Sequence, residues 1–503
     1  MSENFYWLLQ QSMRGREANV CLNIPAGHQW CYGELDELSS RIAEVLRQVG
    51  VGIGDRILVQ VDKSAQAVGL YLAALRMGAV YVPINTAYTD AEVDYFLEDA
   101  QPTVFICSPA CGERRLELDS RTSVLTLGSD GAGSLLENVA EQTPRGAIAA
   151  CAKDDLAAIV YTSGTTGRAK GAMLSHGNLA SNAVTLVDYW GWRDDDVLLH
   201  ALPIFHVHGL FVALHCAMLR ATPMIFLEGF DACSVMKYLP DATVMMGVPT
   251  FYSRLLQQAE FDEHTCRNIR LFISGSAPLT EQTFSEWERR TGHRILERYG
   301  MSETLMNTSN PLVGARRPGT VGYPLPGVQA RITADDGTVS DPGQVGVIEV
   351  KGPNVFCGYW QMAEKTAEEF REDGYFVTGD LATMAPDGRV TIVGRAKDLV
   401  ISGGYNIYPR EIEKLLDEIP GVVESAVIGV PHPDFGEAVV AVVVTTNGDL
   451  ELAAVASALA DQIARFKQPK RVVNVSELPR NAMGKVQKKQ LREEYAALFA
   501  GDA

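Results

Sequence analysis

The chain is poor in basic residues, in regularly spaced cysteines and in long apolar runs. Its 503 residues include 44 Lys and Arg against 62 Asp and Glu, a formal net charge of −18. Nonspecific nucleic-acid binding requires a basic face that neutralises phosphates, so we expect no nucleic-acid partner. If the substrate is anionic, the few cations that lie inside sequence motifs must provide its binding site.

Cysteine and hydropathy patterns exclude further classes. The nine cysteines, from Cys21 to Cys357, lack a disulfide framework and zinc-site spacing, which predicts reduced thiols in a cytoplasmic protein. The chain does not open with a basic region followed by an apolar run, so no signal peptide is expected. The most apolar stretch, residues 201–219, is interrupted by Pro203 and by histidines. It predicts buried core and site wall instead of a membrane span, so no membrane partner is expected.

The pattern of strands and helices predicts an α/β fold. Arg56–Asp62 and Ala79–Ile84 are strand-like and flank an apolar helix near residues 65–77. Thr89 and Glu92 have the spacing of a capping box at the start of the next helix. Strand, helix and strand at this spacing indicate crossover units and therefore mostly parallel sheets.

A change of pattern near residue 319 predicts further units. Strands punctuated by Gly and Pro follow it and indicate a mostly antiparallel β subdomain, and a compact α+β unit follows Gly394–Asp398. A single hydrophobic core stops growing at about 250–300 residues, so at least two domains are expected. We place a large N-terminal domain at residues 1–395 and a small C-terminal α+β domain at residues 396–503.

The strongest local motif is Tyr161–Gly171, directly after the strand-like Leu156–Val160. Its glycines allow backbone amides to approach a polyanion, and its hydroxyls and one cation can bind a triphosphate. The predicted ligands are Thr162, Ser163, Gly164, Thr165, Thr166, Gly167 and Lys170. The spacing differs from G-x-x-x-x-G-K-[ST], which argues against a Walker-type ATPase. A flexible Gly/Thr turn is the alternative.

This motif resembles the signature of the adenylate-forming superfamily, which includes acyl-CoA synthetases, luciferases and peptide-synthetase adenylation domains. Five more segments match in the expected order, so the resemblance covers nearly the whole chain. They are Ser274–Leu279, Glu297–Glu303, Thr378–Asp380 with Arg395 and Asp398 beyond it, Ser402–Tyr408 and Pro479–Val486. The chain has Ala169 where many relatives have Pro, and Ser302, which keeps the hydroxyl, where many have Thr.

The resemblance implies ATP, Mg²⁺ and coenzyme A as ligands and gives each motif a role. Glu303, with Thr162, would hold Mg²⁺, and Asp398 would be the hinge about which the small domain rotates. Lys485 would be the catalytic lysine, and Gly403 and Gly404 would line the thiol tunnel. The nucleotide would contact Ser276, Ala277, Pro278, Glu297, Tyr299, Gly300, Met301, Ser302, Asp380 and Arg395.

The acid is predicted from Arg298, because most relatives have a small or neutral residue at that position. A guanidinium fits an alkyl chain poorly but binds a second carboxylate in bidentate fashion. His206 and Ser274 would help to bind the acid, and Val207 and Met306 would lie around its second carbon. This combination resembles malonyl-CoA synthetases, which implies a malonate–CoA ligase with Lys485, Glu303, Arg298 and His206 as its catalytic residues.

Several alternatives stay open at this level. Arg298 could form a structural salt bridge with Glu297 or Glu303, since buried Arg is usually paired. His206 and His208 could be half of a metal site. The acid could be methylmalonate or another small or aromatic acid, and the acceptor could be a carrier protein. The chain could also be a nucleotide-binding regulator. A further hypothesis is that a lysine acetyltransferase silences the enzyme at Lys485, because acetylation removes the charge.

Overall fold

The computed structural model describes residues 3–25, 27–115, 122–162, 169–334, 336–403, 405–446, 448–460, 462–481 and 484–500. These residues form mixed α/β units with helices packed against parallel sheets, so the predicted fold class is confirmed. No helix in this part of the chain combines the length and apolarity needed to cross a membrane.

The first sheet brings the phosphate-loop motif to the edge of a parallel core. Its strands are β3 (Arg56–Gln60), β4 (Val80–Pro83), β5 (Val104–Cys107), β6 (Ser123–Thr126), β7 (Leu156–Thr162) and β8 (Lys170–Ser175). Their order is β6-β5-β3-β4-β7-β8, parallel throughout except for the antiparallel pair β7 and β8. The strand-like run Leu156–Val160 therefore enters a hairpin, and no helix follows the loop as a Walker motif would require.

The second sheet carries the segments Ser274–Leu279 and Glu297–Glu303, which are predicted to contact the nucleotide and the acid. Its strands are β1 (Val20–Asn23), β2 (Gln29–Cys31), β9 (Leu198–His200), β10 (Met224–Phe226), β11 (Val244–Gly247), β12 (Leu271–Ser274), β13 (Leu296–Met301), β14 (Leu305–Ser309) and β15 (Tyr323–Pro324). The order is β15-β14-β13-β12-β11-β9-β10-β1-β2, with a parallel centre and antiparallel strands at both edges.

Two smaller sheets complete the fold. The antiparallel β subdomain contains β16 (Gln329–Thr333), β17 (Gly346–Lys351), β18 (Phe376–Met384) and β19 (Val390–Arg395) in that order. The last sheet contains β20 (Val400–Ser402), β21 (Tyr405–Ile407), β22 (Val422–His432), β23 (Gly436–Thr445) and β24 (Arg471–Asn474). Its order is β21-β20-β23-β22, and β24 runs parallel to β23. The two sheets meet between Arg395 and Val400.

The helices cover the sheets and are α1 (Phe5–Met13), α2 (Tyr32–Gln48), α3 (Ala65–Met77), α4 (Asp90–Ala100), α5 (Pro109–Arg114), α6 (Ser134–Val139), α7 (His176–Tyr189), α8 (His215–Arg220), α9 (Ala232–Tyr238), α10 (Pro249–Leu256), α11 (Glu281–Thr291), α12 (Ala363–Glu369), α13 (Pro409–Asp417), α14 (Leu452–Leu459) and α15 (Lys488–Glu494). Short 3₁₀ turns lie at Leu239–Asp241, Ala396–Asp398 and Arg465–Lys467.

Local sequence explains several of these boundaries. The Thr89 side chain accepts from the Glu92 amide while Glu92 binds back to Thr89, so the expected capping box starts α4. α3 is buried almost all round because it is apolar on every face. The sequence predicts one helix near residues 451–465, but α14 ends at Leu459 and a separate 3₁₀ turn lies at Arg465–Lys467.

The apolar stretch 201–219 is mostly buried core, as predicted, but its geometry was not foreseen. Residues His208–Leu214 form a π-helix that continues directly into α8. π-helical turns are rare and are frequently found at functional sites. Here the π-helix begins at a histidine of the wall and anchors that wall in the main hydrophobic core.

Candidate active site

The phosphate-loop motif is anchored at both ends on helix α4. At its start, the Tyr161 hydroxyl donates to Asp99 Oδ2 at 2.5 Å, and at its end, the Tyr95 hydroxyl donates to the Ala169 carbonyl at 2.7 Å. Thr162 and Lys170 are paired across the β7–β8 hairpin. The predicted ligands between them lie outside the described residues, as does Gly404 of the thiol tunnel; they are Ser163, Gly164, Thr165, Thr166 and Gly167.

Lys170 and Glu303 face each other across a buried polar patch. Lys170 Nζ lies 3.0 Å from Glu369 Oε1, and Glu303 Oε1 accepts from the Tyr359 hydroxyl at 3.1 Å. Burial raises the pKa of the Glu303 carboxyl, although the charges of Arg395 and Lys170 oppose that shift. The sequence analysis missed both Tyr359 and Glu369, because a tyrosine and a glutamate near a short helix carry no motif.

Three of the residues predicted to contact the nucleotide, Tyr299, Asp380 and Arg395, form one compact group. Asp380, at the centre of β18, accepts from the Tyr299 hydroxyl at 2.5 Å and pairs with Arg395 Nε at 2.7 Å. Its backbone amide donates to Thr378 Oγ1 at 3.0 Å, which fixes the turn of the Thr378–Asp380 motif. The carboxylate is almost fully buried, so its two partners offset the cost of removing it from water.

The segment Ser276–Pro278, which is predicted to contact the nucleotide, leaves β12 through a strained backbone. Ser276 has φ of +71°, an uncommon conformation for a residue with a side chain, and its Oγ lies 3.3 Å from His208 Nδ1. Ala277 is half-buried and Pro278 is exposed. This strain presents the segment Ser276–Pro278 at the end of the sheet, where ligands of α/β folds bind.

A bulge at Gly300 brings the strand pair β13–β14 unusually close. A Cβ at this position would lie 1.9 Å from the Leu305 carbonyl and 2.6 Å from Met306 Cε, so only glycine fits. Met301 and Ser302 continue from the bulge as half-buried residues toward Glu303.

Glu297 is buried on β13, apart from the Lys170–Glu303 patch. Its Oε1 has no hydrogen-bond partner within the described residues, and its nearest charges include Arg410 of the small domain. Burial raises the pKa of the Glu297 carboxyl to about 8, against an ordinary value of 4.5, and the Leu279 amide only partly offsets this. The carboxyl is therefore neutral at pH 7, so it adds no negative charge to a nucleotide site.

We expect Glu297→Gln to remove a pH dependence of stability. Because the folded-state pKa is raised, the stabilisation that Glu297 provides is complete below pH 4.5 and is lost as the pH rises through about 8. The stability of the natural protein relative to the variant should fall by about 1.4 kcal/mol per pH unit over that window. Urea unfolding of both proteins across this range measures it, and a constant difference would contradict the assignment.

Arg298, on the opposite face of β13 from Glu297, is a buried guanidinium for which the described residues provide no counter-ion. It is 3% exposed, and its Nε and Nη2 find no hydrogen-bond partner among the described residues. Its Cζ would lie 2.4 Å from a Cβ added at Gly275, so the glycine makes room for it. Burial lowers the pKa of Arg298 to about 9, and no carboxylate opposes that shift. The salt bridges to Glu297 or Glu303 that the sequence left open do not form.

Other buried polar atoms around Arg298 also lack partners within the described residues. They are Ser274 Oγ at the end of β12 and His208 Nε2. Burial and the Arg298 charge lower the pKa of His208 well below its usual value. Burial, with the Lys485 and Arg298 charges, lowers the pKa of His206 to about 3, so both imidazoles are neutral. Orphaned buried donors are uncommon in native proteins and indicate a polar ligand.

The metal-site alternative for His206 and His208 finds no support. His206 Nδ1 accepts from the His208 amide at 3.2 Å, and His208 Nδ1 faces Ser276. Within the ranges that the structure describes, no group of three or more His, Cys, Asp and Glu could hold a metal ion. Val207, between the two histidines, and Met306 are both buried in the main hydrophobic core.

The wall that carries His206 and His208 is held from behind by Lys63. Lys63 Nζ donates to His200 Nδ1 at 2.9 Å and to the His200 carbonyl at 2.8 Å, and His200 Nε2 donates to the Gly209 carbonyl at 3.0 Å. Sequence reasoning missed Lys63, because it follows β3 and lies 137 residues from its partner. These hydrogen bonds fix both ends of the loop between His200 and Gly209.

Lys485, near the C-terminal end of the chain, lies close enough to His206 and Arg298 for their charges to interact. The residue is solvent-accessible, yet the surrounding protein displaces enough water to lower the pKa of its ammonium to about 8. The Arg395 and Arg298 charges lower it further, whereas Asp380 and Glu303 raise it. Lys485 thus lies close enough to these four charged residues for each of them to affect its pKa.

The hairpin that carries Lys485 is itself clamped. Arg480 pairs with Glu424 on β22 and donates to the Gly484 carbonyl, while Asn481 Oδ1 accepts from the Lys485 amide at 3.0 Å. Gly484 has φ of +71° and packs against Thr250 of the large domain. Glu424 could not be found from sequence, since it lies 56 residues from Arg480.

The predicted hinge and tunnel residues lie where the two smaller sheets meet. Asp398 ends the 3₁₀ turn Ala396–Asp398 and pairs with Arg492 at 2.8 Å. Gly403 has φ of +59°, and its amide donates to the Phe435 carbonyl at 2.9 Å. A separate ion pair, Lys414 to Glu281 at 2.8 Å, joins the small domain to the large one.

Matches to two protein-family models identify the class of enzyme to which the chain belongs. A model of the AMP-binding enzyme family matches residues 9–360, and a model of the AMP-binding enzyme C-terminal domain matches residues 411–485. The chain belongs to the AMP-binding enzyme family.

Relatives and solved structures narrow the comparison. The chain is 36% identical to a malonate–CoA ligase of Arabidopsis thaliana, over 93% of this chain and 85% of the relative. It is 32% identical to the long-chain-fatty-acid–CoA ligase FadD13 of Mycobacterium tuberculosis, over 98% and 99%. The crystal structure of ATP-bound MatB from Rhodopseudomonas palustris superposes with a TM-score of 0.97 at 52% identity, covering 99% of this chain and 100% of that one.

Proposed function

We propose that this protein is an ATP-dependent malonate–CoA ligase, which forms malonyl-CoA, AMP and pyrophosphate through a malonyl-adenylate. Its family and its relatives make it an AMP-forming acyl-CoA synthetase with ATP and coenzyme A as substrates. Relatives of comparable identity act on different acids, so overall similarity does not by itself choose the acid.

The observation that carries the choice of malonate is the unpaired guanidinium of Arg298. A buried charge without a partner costs several kcal/mol, on the order of the loss when a buried ion pair is broken. A short diacid removes that cost, because one carboxylate can pair with Arg298 while the other stays free to react. An alkyl or aryl acid would leave the guanidinium unpaired, so the site disfavours it.

The residues present fit a magnesium ion. Glu303 supplies a buried carboxylate oxygen, the hard ligand that Mg²⁺ prefers, and burial penalises its charge until a cation compensates it. Mg²⁺ usually takes only one or two carboxylates and completes its shell with phosphate oxygens, which is compatible with a single protein carboxylate. When bound, it would neutralise charge on the triphosphate. Thr162, at the end of β7, is a further proposed ligand.

In the first half-reaction, the chain's own groups would bring two anions together. Arg298 would bind the far carboxylate of malonate, with Ser274 and neutral His206 as further contacts. Lys485 would bridge the attacking carboxylate and the α-phosphate, where negative charge develops. Lys170 would stabilise the leaving pyrophosphate, and no side chain is covalently modified. Val207 and Met306 would lie around the second carbon of the acid.

In the second half-reaction, the thiol needs the space that Lys485 occupies. We propose that residues 396–503 rotate as a small domain against residues 1–395, with Asp398 as the hinge. The rotation would break the Lys414–Glu281 ion pair and withdraw the Lys485 hairpin. Gly403 and Gly404 would then line the thiol tunnel.

A product assay with a panel of acids tests the proposal. Purified protein with ATP, Mg²⁺ and malonate should release pyrophosphate and AMP, and hydroxylamine should trap malonyl hydroxamate. Adding CoA should give malonyl-CoA, with methylmalonate, acetate and benzoate as comparison acids. Release of ADP and orthophosphate, or a preference for the monocarboxylic acids, would refute it.

The pH dependence of adenylation should follow Lys485. The Lys485 ammonium, whose pKa is lowered to about 8, keeps its charge below that pH and loses it above. We expect kcat/KM for malonate, which reports the free enzyme, to be level near pH 7 and to fall about tenfold per pH unit above pH 8. Lys485→Arg should remove this decline, since arginine stays charged. The same decline in both proteins would assign it to another group.

The accessible position of Lys485 also suits modification. We propose that a lysine acetyltransferase could switch the enzyme off there, because acetylation would remove the bridging charge. Mass spectrometry of protein purified in active and inactive states tests this. Inactive protein with unmodified Lys485 would argue against it.

A further inference from the structure

A continuous chain of polar contacts joins Lys170 to Glu303 through two residues that have no assigned role. Lys170 Nζ lies 3.0 Å from Glu369 Oε1, and the Tyr359 hydroxyl lies 2.8 Å from Glu369 Oε2 and 3.1 Å from Glu303 Oε1. Tyr359 follows the strand β17, and Glu369 is the last residue of helix α12. The proposed phosphate-binding lysine and the proposed metal-binding carboxylate are therefore linked by a path of contacts through only two residues.

The contacts also fix the geometry of the lysine. Lys170 Nζ lies 4.1 Å from the centroid of the Tyr359 ring, so the ring and the Glu369 carboxylate hold the ammonium on two sides. Tyr359 is 2% exposed and packs edge-on against Phe356, which leaves its hydroxyl little freedom. A rigid ring that contacts both charged groups can transmit a shift of one to the other.

Glu369 has a second cation that allows it to release Lys170. Lys365, one turn earlier on α12, places its Nζ 3.3 Å from Glu369 Oε1. When a triphosphate binds Lys170, Glu369 keeps Lys365 and the Tyr359 hydroxyl as partners. The carboxylate is thus not left without a counter-charge, and its electrostatic cost stays small.

The Tyr359 hydroxyl has one proton for two carboxylates. It can donate to Glu303 or to Glu369 at a given moment, because a phenol is a single donor. A cation on Glu303 would satisfy that carboxylate and free the proton for Glu369. Binding at the metal carboxylate therefore changes the hydrogen bonding of the residue that holds Lys170.

We propose that Glu369 and Tyr359 are positioning residues that couple the Mg²⁺ site at Glu303 to the triphosphate site at Lys170. This rests on the proposed function, since it assumes that Mg²⁺ and ATP bind there. By linkage, Mg²⁺ then increases ATP affinity beyond simple charge neutralisation, and ATP increases Mg²⁺ affinity by the same factor. Residues that orient a metal ligand in this way typically change metal affinity by about 10- to 100-fold when they are replaced.

The test measures binding without turnover. Isothermal titration of ATP, with malonate and CoA omitted, is performed in saturating Mg²⁺ and in EDTA. The ratio of the two affinities is the Mg²⁺-dependent gain. We expect Glu369→Gln to reduce that gain at least about tenfold while the affinity in EDTA changes much less. Tyr359→Phe should do the same, and the double variant should lose no more than the stronger single variant, because the residues act as one chain.

Glu368→Gln is the matched control. Glu368 lies next to Glu369 on α12 and contacts Lys365 at 3.0 Å, but its side chain is 66% exposed, and no contact to Lys170 or Tyr359 is found within the described residues. It should keep the full Mg²⁺-dependent gain. Thermal unfolding of each variant excludes a folding defect, and half-exposed Glu369 gives the safer replacement if Tyr359→Phe is unstable.

The outcomes separate two failures. If the natural protein binds ATP with a Mg²⁺-dependent gain and Glu369→Gln keeps that gain, the coupling is refuted and the proposed function stands. Equal losses in Glu369→Gln and Glu368→Gln, or additive losses in the double variant, also refute it. If the natural protein binds no ATP with Mg²⁺, the proposed function and the coupling fail together.

Discussion

Replacing Arg298 with alanine is expected to abolish malonate turnover at usable concentrations while ATP binding is retained. Within the described residues, the cations that act on His206 beside this site are Arg298 and Lys485, and Lys485 is the one proposed for the reacting end. A diacid entering this site without the guanidinium would bury an uncompensated charge. Losing one partner of a buried charge pair costs about 2–5 kcal/mol, so kcat/KM for malonate should fall about 10³-fold.

Steady-state pyrophosphate release, with ATP titrated separately by calorimetry, measures both halves of this expectation. Arg298→Lys is the informative comparison, because it keeps a charge but loses the bidentate geometry. Its kcat/KM for malonate should lie between the values of the natural protein and of Arg298→Ala. Arg298→Met should also raise the melting temperature, since the guanidinium is buried and unpaired in the folded protein. Malonate turnover that survives in Arg298→Ala would show that the anchor lies elsewhere.

Replacing Lys485 with alanine is expected to slow adenylation about 10²- to 10³-fold, the usual effect of losing one preorganised group at a developing charge. Transfer of the acyl group from pre-formed malonyl-adenylate to CoA should be much less affected, because the lysine has to withdraw for that step. Rapid-quench measurement of each half-reaction separates the two.

Lys489→Ala is a suitable control for this prediction. Lys489 lies four residues further along the same tail, is 72% exposed and pairs with Glu493 on its own helix. It should behave as the natural protein in both half-reactions. An equal loss in both steps for Lys485→Ala would contradict its assigned role, and so would a loss in Lys489→Ala of similar size.

Sequence patterns predicted the architecture where local chemistry determines it. The Thr89–Glu92 capping box and the strand–helix alternation around α3 depend on residues close in the chain, and both are found. The end of α14 was misplaced, since the helix stops at Leu459 and a separate 3₁₀ turn begins at Arg465. The π-helix at His208–Leu214 has no recognised sequence signal.

The candidate site was predictable by motif but not by contact. Glu303, Asp380, Arg395 and Lys485 come from separate motifs, and in the structure the charges of the first three all act on Lys485. Whether Arg298 pairs with a neighbouring glutamate depends on which strand face each side chain occupies, and sequence alone left that open. The residues that support the site were missed because their partners are distant in sequence; they are Tyr359, Glu369, Lys63 and Glu424.

The position of Arg298 has a consequence for the end of the catalytic cycle. The far carboxylate of malonate takes part in neither half-reaction. The guanidinium would therefore bind the acid, the adenylate and the thioester with similar affinity. Such uniform binding favours capture of dilute malonate but adds nothing to the rate of the chemical steps. The same ion pair would also slow dissociation of the thioester product, because its free carboxylate must leave the buried guanidinium. Turnover of this enzyme would then be limited by product dissociation, with malonyl-CoA itself acting as an inhibitor.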